Sequence, residues 1–153
     1  MSIVVFDGKT LAADCLAVNS GLRMKVNKIF REPNGTLLAF TGQLDAGLIM
    51  VKWFQDGADL ACYPPFQAKE DWTRLIVVHP TGEVVVYEQH PVGYREERSY
   101  AAWGCGRDFA MGALAMGADA RRAVEITNEL SEGCGFGIEA FDLRPLELVK
   151  TGD

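Results

Sequence analysis

The N-terminus places a hydroxyl residue directly in front of an apolar strand. The sequence begins Met1-Ser2 and continues as Ile-Val-Val-Phe over residues 3–6. Methionine aminopeptidases usually remove Met1 before a small residue, which would leave Ser2 with both a hydroxyl and a free α-amine. An α-amine has an ordinary pKa of about 7.7–8.0, so part of it is a free base at neutral pH. This combination can form a hydroxyl nucleophile that needs no histidine, although Ser after Met is also common before an ordinary first strand.

Four further positions have a side chain or backbone that could take part in catalysis, and three of them fall at the ends of predicted elements. Asp14 ends the second strand, and Lys28 lies in the segment Val-Asn-Lys-Ile. Gly42 follows Thr41 between a strand and a helix, and Cys105 lies between two glycines where another strand passes into a helix. Singly, each also suits a structural role: a turn residue, a surface lysine, a helix-entry glycine and a small buried thiol.

Hydrophobic periodicity and turn signals predict the elements that must position these residues. We predict a looser segment at 17–21 and a polar stretch at 91–98. The order of strands and helices predicts a layered α+β domain over 1–153, with antiparallel sheets and helices outside. Strands are expected at 3–6, 10–13, 24–30, 36–40, 74–78, 84–87, 100–103 and 138–143, and helices at 45–55, at 107–116 and from Asp119 to about 132.

Composition narrows the function classes. The chain has 153 residues, of which 48% are hydrophobic, and a net charge of −6. An acidic chain without a basic run argues against nucleic acid or an anionic membrane as the main partner. The four cysteines are scattered without a C-x-x-C pair, which indicates reduced thiols and a cytoplasmic protein. The two histidines, His79 and His90, are isolated, so we expect no metal site and no cofactor.

Taken together, the five positions and their order resemble a proteasome β-type subunit, in particular the short bacterial HslV-like peptidases and their phage relatives. The resemblance extends from Ser2 to about Leu143, and its specific part is the block from Ser2 to Lys28. It implies the four-layer αββα sandwich of the N-terminal nucleophile (Ntn) hydrolases, in which two antiparallel sheets lie between helix layers. It also implies a threonine- or serine-type endopeptidase.

The resemblance assigns a role to each position. Ser2 falls at the nucleophilic N-terminal threonine, and its own α-amine, or a water held by it, would be the general base. Asp14 and Lys28 fall at the family's acidic residue and lysine. Gly42 falls at the glycine whose backbone N–H forms the oxyanion hole, and Cys105 falls where a serine is common near the α-amine.

The sequence departs from the family pattern in three ways. Ser2 replaces threonine, and so lacks the methyl group that restricts a β-branched rotamer. The family's late acidic residue has no clear match: Ser131 falls there, with Glu132 next to it. Cys134 stands in place of the serine of a Ser-Gly pair. The supporting residues behind the α-amine are therefore expected to differ.

By the same resemblance, a polypeptide substrate would lie extended between segments 17–21 and 42–44, adding a strand through main-chain hydrogen bonds. The pocket beside Ser2 would be apolar, which predicts cleavage after apolar residues. The family further implies a homo-oligomeric ring, doubled as in the family, and an ATP-dependent unfoldase as partner. The predicted pocket residues are Ala17, Val26, Phe40 and Leu44.

Other functions remain open at this point. One is a proteasome-like ring that has lost its chemistry, which the serine at position 2 and the missing late acid favour. Another is an Ntn amidase acting on a small molecule, although such enzymes are usually longer. A Cys105 nucleophile is a further possibility, but neither histidine has an evident reason to lie beside it.

Overall fold

The structure is a computed structural model, and it describes residues 2–69 and 72–144. Short connections join most of the elements, and strands precede, separate and follow the helices. The strands are β1 (Ile3–Phe6), β2 (Thr10–Asp14), β3 (Leu16–Asn19), β4 (Leu22–Lys25), β5 (Ile29–Arg31), β6 (Leu37–Thr41), β7 (Arg74–Val78), β8 (Val84–Tyr87), β9 (Tyr94–Glu96), β10 (Ala101–Gly104) and β11 (Ile138–Asp142). The α-helices are α1 (Leu44–Gln55), α2 (Arg107–Ala115) and α3 (Ala120–Leu130).

Two antiparallel sheets and a hairpin contain these strands. The first sheet has the order β10-β1-β2-β11, and the second has the order β5-β6-β7-β8-β9. Strands β3 and β4 form a separate two-stranded hairpin. The turn between β1 and β2 follows from its sequence, because the Asp7 carboxylate accepts the backbone N–H groups of Lys9 and Thr10 at 2.9 and 2.8 Å. This turn sets the register that brings Asp14 back to the start of β1.

The two sheets pack face to face, and helices cover their outer faces. Alternate residues of β1 divide between the layers: Val4 and Phe6 face the second sheet, whereas Ile3 and Val5 face helices α2 and α3. Both faces of β1 are thus buried, which explains its continuous apolar run. Helix α1 covers the outer face of the second sheet. The predicted α+β class and four-layer αββα sandwich are confirmed.

Three predicted segments differ from the structure. The looser segment at 17–21 contains part of strand β3 and the turn to β4. The predicted strand at 24–30 is divided, because β4 pairs with β3 whereas β5 joins the second sheet. The polar stretch at 91–98 contains strand β9, which lies at the edge of the second sheet. An edge strand of largely exposed polar residues carries no apolar periodicity by which to predict it.

Candidate active site

Ser2 lies immediately before β1 and is only 2% exposed. Its carbonyl oxygen accepts a hydrogen bond from the Cys105 thiol at 3.5 Å. Gly104, which pairs with Ile3 across β1 and β10, has φ +114°, and a Cβ there would lie 2.1 Å from the Ser2 carbonyl oxygen. Glycine is therefore required at position 104 for this close approach. Met1, whose removal the sequence analysis expects, lies outside the described residues.

Asp14 is fully buried at the end of β2 and accepts three hydrogen bonds. Its Oδ1 accepts the Ile3 backbone N–H at 3.1 Å and the Lys28 ammonium at 2.6 Å. Its Oδ2 accepts the Gly135 N–H at 3.1 Å. One carboxylate oxygen thus connects the residue after Ser2 to the lysine, so the ammonium lies beside the start of β1.

The backbone of Lys28 is held by a residue that the sequence analysis did not identify. Glu139 of β11 accepts the N–H groups of Lys28 and Ile29, at 2.8 and 3.2 Å. Burial raises the pKa of Glu139, and the two N–H groups oppose that rise. The available signal was an acidic residue between apolar neighbours in the interior of the last strand, but its two partners lie 111 and 110 residues earlier.

The Lys28–Asp14 pair is unusual because both side chains are removed from water, with exposed fractions of 3% and 0%. Desolvating two charges costs several kcal/mol, so a buried pair is weak evidence for stability. Apolar residues of the same volume would often pack as well. A gain in stability alone therefore does not account for this pair.

A cavity of about 730 Å³ lies between the β3–β4 hairpin and the start of α1. Lys28 and Gly42 both contribute to its wall. The structure brings the predicted pocket residues together here, since the wall also includes Ala17, Val26, Phe40 and Leu44. Strand β3 pairs with β4 on one edge, and within residues 2–69 and 72–144 no strand pairs with its other edge. An extended peptide has room to bind along that edge.

Gly42 lies where this cavity meets a second one of about 430 Å³, which Cys105 also lines. The φ of Gly42 is +113°, and a Cβ at this position would lie 2.6 Å from the Thr73 hydroxyl oxygen. Both observations require glycine. The oxyanion-hole glycine expected from the resemblance therefore borders both cavities, with its backbone accessible.

Cys105 contacts a second cysteine. Its sulfur lies 3.8 Å from the sulfur of Cys134, and both thiols are free. The hydrogen bond from Cys134 lowers the pKa of Cys105 to about 5, against the opposing effect of burial. The same interaction raises the pKa of Cys134. The two thiols therefore titrate together: the first proton is lost readily, and the second thiol stabilises the thiolate that forms.

The two expected supporting residues lie at and just after the C-terminal end of α3. Ser131 caps this end, and its N–H donates to the Thr127 carbonyl at 2.8 Å. The Ser131 carbonyl accepts the Cys134 N–H at 3.3 Å, so Ser131 contacts the cysteine pair that lies beside Ser2. Glu132 is exposed, and it lines a cavity together with Ser131 and Cys134.

Residues 2–69 and 72–144 contain no cluster of three or more His, Cys, Asp or Glu side chains that could hold a metal ion. No helix among them has the length and apolar character needed to cross a bilayer.

Known proteins resemble this chain in structure. The sequence matches no protein-family model and no curated protein. The BPH protein of Thiobacillus denitrificans, in complex with epoxomicin, superposes with a TM-score of 0.71 at 19% identity, covering 95% of this chain and 100% of that one. The eukaryotic HslV of Trypanosoma brucei superposes with a TM-score of 0.68 at 16% identity, covering 94% and 98%. Together with the four layers described above, these likenesses identify the fold of this chain as the HslV-like, proteasome-type fold.

Proposed function

We propose that this chain is a subunit of an HslV-like self-compartmentalising peptidase, which cleaves peptide bonds with the Ser2 hydroxyl once Met1 has been removed. The observation that carries the proposal is the single Asp14 oxygen that binds both the Ile3 N–H and the Lys28 ammonium. It puts a buried positive charge next to the residue that would be the nucleophile. A structural protein has no evident need for that costly arrangement.

The proposed reaction begins with proton transfer from the Ser2 hydroxyl to its own α-amine, directly or through a water. At pH 7, about a tenth of a normal α-amine is the free base. The oxygen attacks the peptide carbonyl carbon, and the negative charge that forms on the carbonyl oxygen is stabilised by the Gly42 N–H. The Lys28 ammonium stabilises the developing charge on the nucleophile. The α-ammonium protonates the departing amine, and water then hydrolyses the acyl ester.

The substrate would be a polypeptide bound in extended form along the free edge of β3. The larger cavity supports a preference for apolar residues on the carbonyl side of the cleaved bond, since Ala17, Val26, Phe40 and Leu44 contribute to its wall. A panel of peptides differing only at that position measures the preference. Fastest cleavage after acidic or basic residues would overturn this assignment.

The ring assembly and the ATP-dependent unfoldase are parts of the proposal that rest on the family resemblance, and the cytoplasmic location rests on the four scattered cysteines. A ring confines the reaction, and an unfoldase would supply extended chains to it. Measurement of the molar mass in solution tests the assembly. A ring of about twelve or more subunits is expected from the resemblance, whereas a monomer or dimer would favour an amidase acting on a small molecule.

The first test is the intact mass of the purified protein, followed by treatment with epoxomicin, which is present in the Thiobacillus complex. Epoxomicin is an epoxyketone peptide, and its full reaction needs a hydroxyl and a free amine on one residue. We expect a mass lower by one methionine and one covalent adduct. Ser2→Thr should keep the adduct, and Ser2→Ala should abolish it. Retention of Met1 throughout, or a Met-free protein that neither reacts nor hydrolyses peptides, would refute the peptidase.

One observation favours a second candidate, a proteasome-like ring without catalytic activity. By the resemblance, Ser131 stands at the family's late acidic position, and the neighbouring Glu132 is exposed. A neutral side chain at that position would give the α-amine of Ser2 less support. Under this alternative, the ring would form but Ser2→Ala would change no measurable function.

A further inference from the structure

The peptide group that precedes Gly42 is fixed by a threonine that the sequence analysis did not identify. Thr73 is almost completely buried, and its hydroxyl donates a hydrogen bond to the Thr41 carbonyl oxygen. The Thr41 carbonyl and the Gly42 N–H belong to one planar trans peptide group. The two bonds point in opposite directions, so the hydrogen bond that fixes the carbonyl also fixes the direction of the N–H.

The strand order gives that direction. Strand β6 lies between β5 and β7, and Thr73 immediately precedes β7. Because Thr73 holds the Thr41 carbonyl toward β7, the Gly42 N–H points to the β5 side. Lys28 immediately precedes β5 and lines the same cavity as Gly42. The N–H is therefore directed to the side of β6 on which Lys28 leads into β5.

Thr73 is itself held by a buried carboxamide. Gln67 is fully buried, and its Oε1 accepts the Thr73 N–H at 2.7 Å while its Nε2 donates to the Thr73 carbonyl at 2.6 Å. The Nε2 also donates to the Glu88 carbonyl at 2.8 Å, which anchors the carboxamide to the end of β8. A buried amide is costly unless it is hydrogen-bonded, and here both of its ends are used. Gln67 thus fixes the backbone on both sides of the Thr73 side chain.

We propose that Thr73 is a positioning residue of the oxyanion hole, and that Gln67 fixes it in place. The inference rests on the proposed peptidase function and extends it to residues that touch no substrate. A donor aimed in advance at the developing oxyanion stabilises the transition state more than the bound substrate. Loss of the Thr73 hydroxyl leaves the Thr41–Gly42 peptide group free to rotate, and the N–H then no longer points reliably at the reacting oxygen.

The experiment compares kcat and KM for an N-blocked tripeptide ending in leucine and coupled to aminomethylcoumarin. Thr73→Val removes the hydroxyl at nearly constant volume. Thr73→Ser and Thr73→Ala form a second pair that differ from each other only in the hydroxyl, which keeps the test decisive if the valine variant does not fold. The matched control is Thr127→Val, because Thr127 is also buried and its hydroxyl donates to the Ala123 carbonyl at 2.8 Å.

We expect Thr73→Val and Thr73→Ala to lower kcat at least ~10-fold, up to the ~10²–10³-fold loss that follows removal of a whole oxyanion donor. KM should change less than about threefold, because the donor acts on the transition state. Thr73→Ser should retain most of kcat, and Thr127→Val should retain it despite losing a similar hydrogen bond. Equal kcat in the serine and alanine variants would overturn the inference.

A crystal structure of Thr73→Val separates this inference from the peptidase proposal. If the wild type hydrolyses no peptide after Met1 removal, the peptidase proposal fails, and the orientation of the Thr41–Gly42 peptide group still decides the positioning role. We expect a rotated or doubly oriented peptide group in the variant. An unchanged orientation, with the Gly42 N–H still directed to the β5 side, would refute the role of Thr73.

Discussion

Replacing Lys28 by Met measures how much the free energy of unfolding depends on the buried Lys28–Asp14 pair. The substitution keeps most of the side-chain volume and leaves the Asp14 carboxylate, which is 0% exposed, with only its two backbone donors. Breaking a buried pair by removing one partner typically costs about 3–5 kcal/mol. Lys52→Met is the matched control, since its ammonium lies 2.8 Å from Asp56 but the two side chains are 70% and 60% exposed.

The control pair is of the i, i+4 type on a helix surface, where solvent screens the two charges and their interaction contributes little to stability. The two variants therefore share the substitution and nearly the same pair distance, 2.6 and 2.8 Å, and differ in burial. Urea unfolding gives the comparison. With a slope of about 2 kcal/mol/M, Lys28→Met should lower the midpoint by about 1.5–2.5 M and Lys52→Met by less than about 0.3 M.

The measurements need one fixed protein concentration, because assembly into an oligomer would make the midpoint depend on it. Unchanged slopes would show that the difference lies in stability and not in the extent of unfolding. Midpoints of Lys28→Met and Lys52→Met that agree within about 0.3 M would refute the reasoning. The Lys28 charge would then be solvated in solution, and the argument that its burial indicates function would fail with it.

Three further predictions follow from single contacts. Cys134→Ala removes the hydrogen bond that lowers the pKa of Cys105 to about 5, so the pH midpoint for alkylation of Cys105 by iodoacetamide should rise; an unchanged midpoint would show that the two thiols do not titrate together. Gly104→Ala should lower the free energy of unfolding by more than about 2 kcal/mol, because φ is +114° and the new Cβ would lie 2.1 Å from the Ser2 carbonyl oxygen. Gly112→Ala is the control in α2, where a Cβ would meet open space, and it should raise the free energy of unfolding by up to about 1 kcal/mol. Thermal or urea unfolding measures both. Burial raises the pKa of Glu139, so the folded state keeps this proton at pH values where the unfolded state has lost it. The free energy of unfolding should therefore fall as pH rises from about 4.5 through the raised pKa. This contribution should be missing from the pH dependence of unfolding in Glu139→Gln.

Local sequence patterns predicted most of the fold because most elements carry their own signals. Strand β1 is a β-branched run followed by Asp7-Gly8, and Asp119 caps α3 by accepting the Arg122 N–H at 2.8 Å. Strand β9 gave no such signal, because it is short, polar and supported only by β8. The sequence patterns report local propensity and apolar periodicity. Pairing at a sheet edge depends on the neighbouring strand, so the sequence of the edge strand alone does not predict it.

The residues that support the candidate site were harder to predict than those that line it. Glu139, Gln67 and Thr73 make their decisive hydrogen bonds to backbone groups. Nearly every residue type has a backbone N–H and a carbonyl, so the residue type at the partner position does not indicate that such a hydrogen bond forms. Asp14 and Lys28 could be identified because their order along the chain, together with Ser2, Gly42 and Cys105, resembles a known family. A carboxylate that binds backbone N–H groups, as Glu139 does, looks in the sequence like any other acidic residue in a strand.

The charged pair also links the site to the packing of the whole sandwich. Asp14 belongs to the first sheet, whereas Lys28 leads directly into β5 of the second. Glu139, on the first sheet, holds the same entry to β5 through its two hydrogen bonds. The position of the ammonium relative to Ser2 is thus set by how the two sheets lie on each other. Because closely packed interiors transmit strain, a core substitution that shifts one sheet should move Lys28 away from the start of β1 before it unfolds the protein.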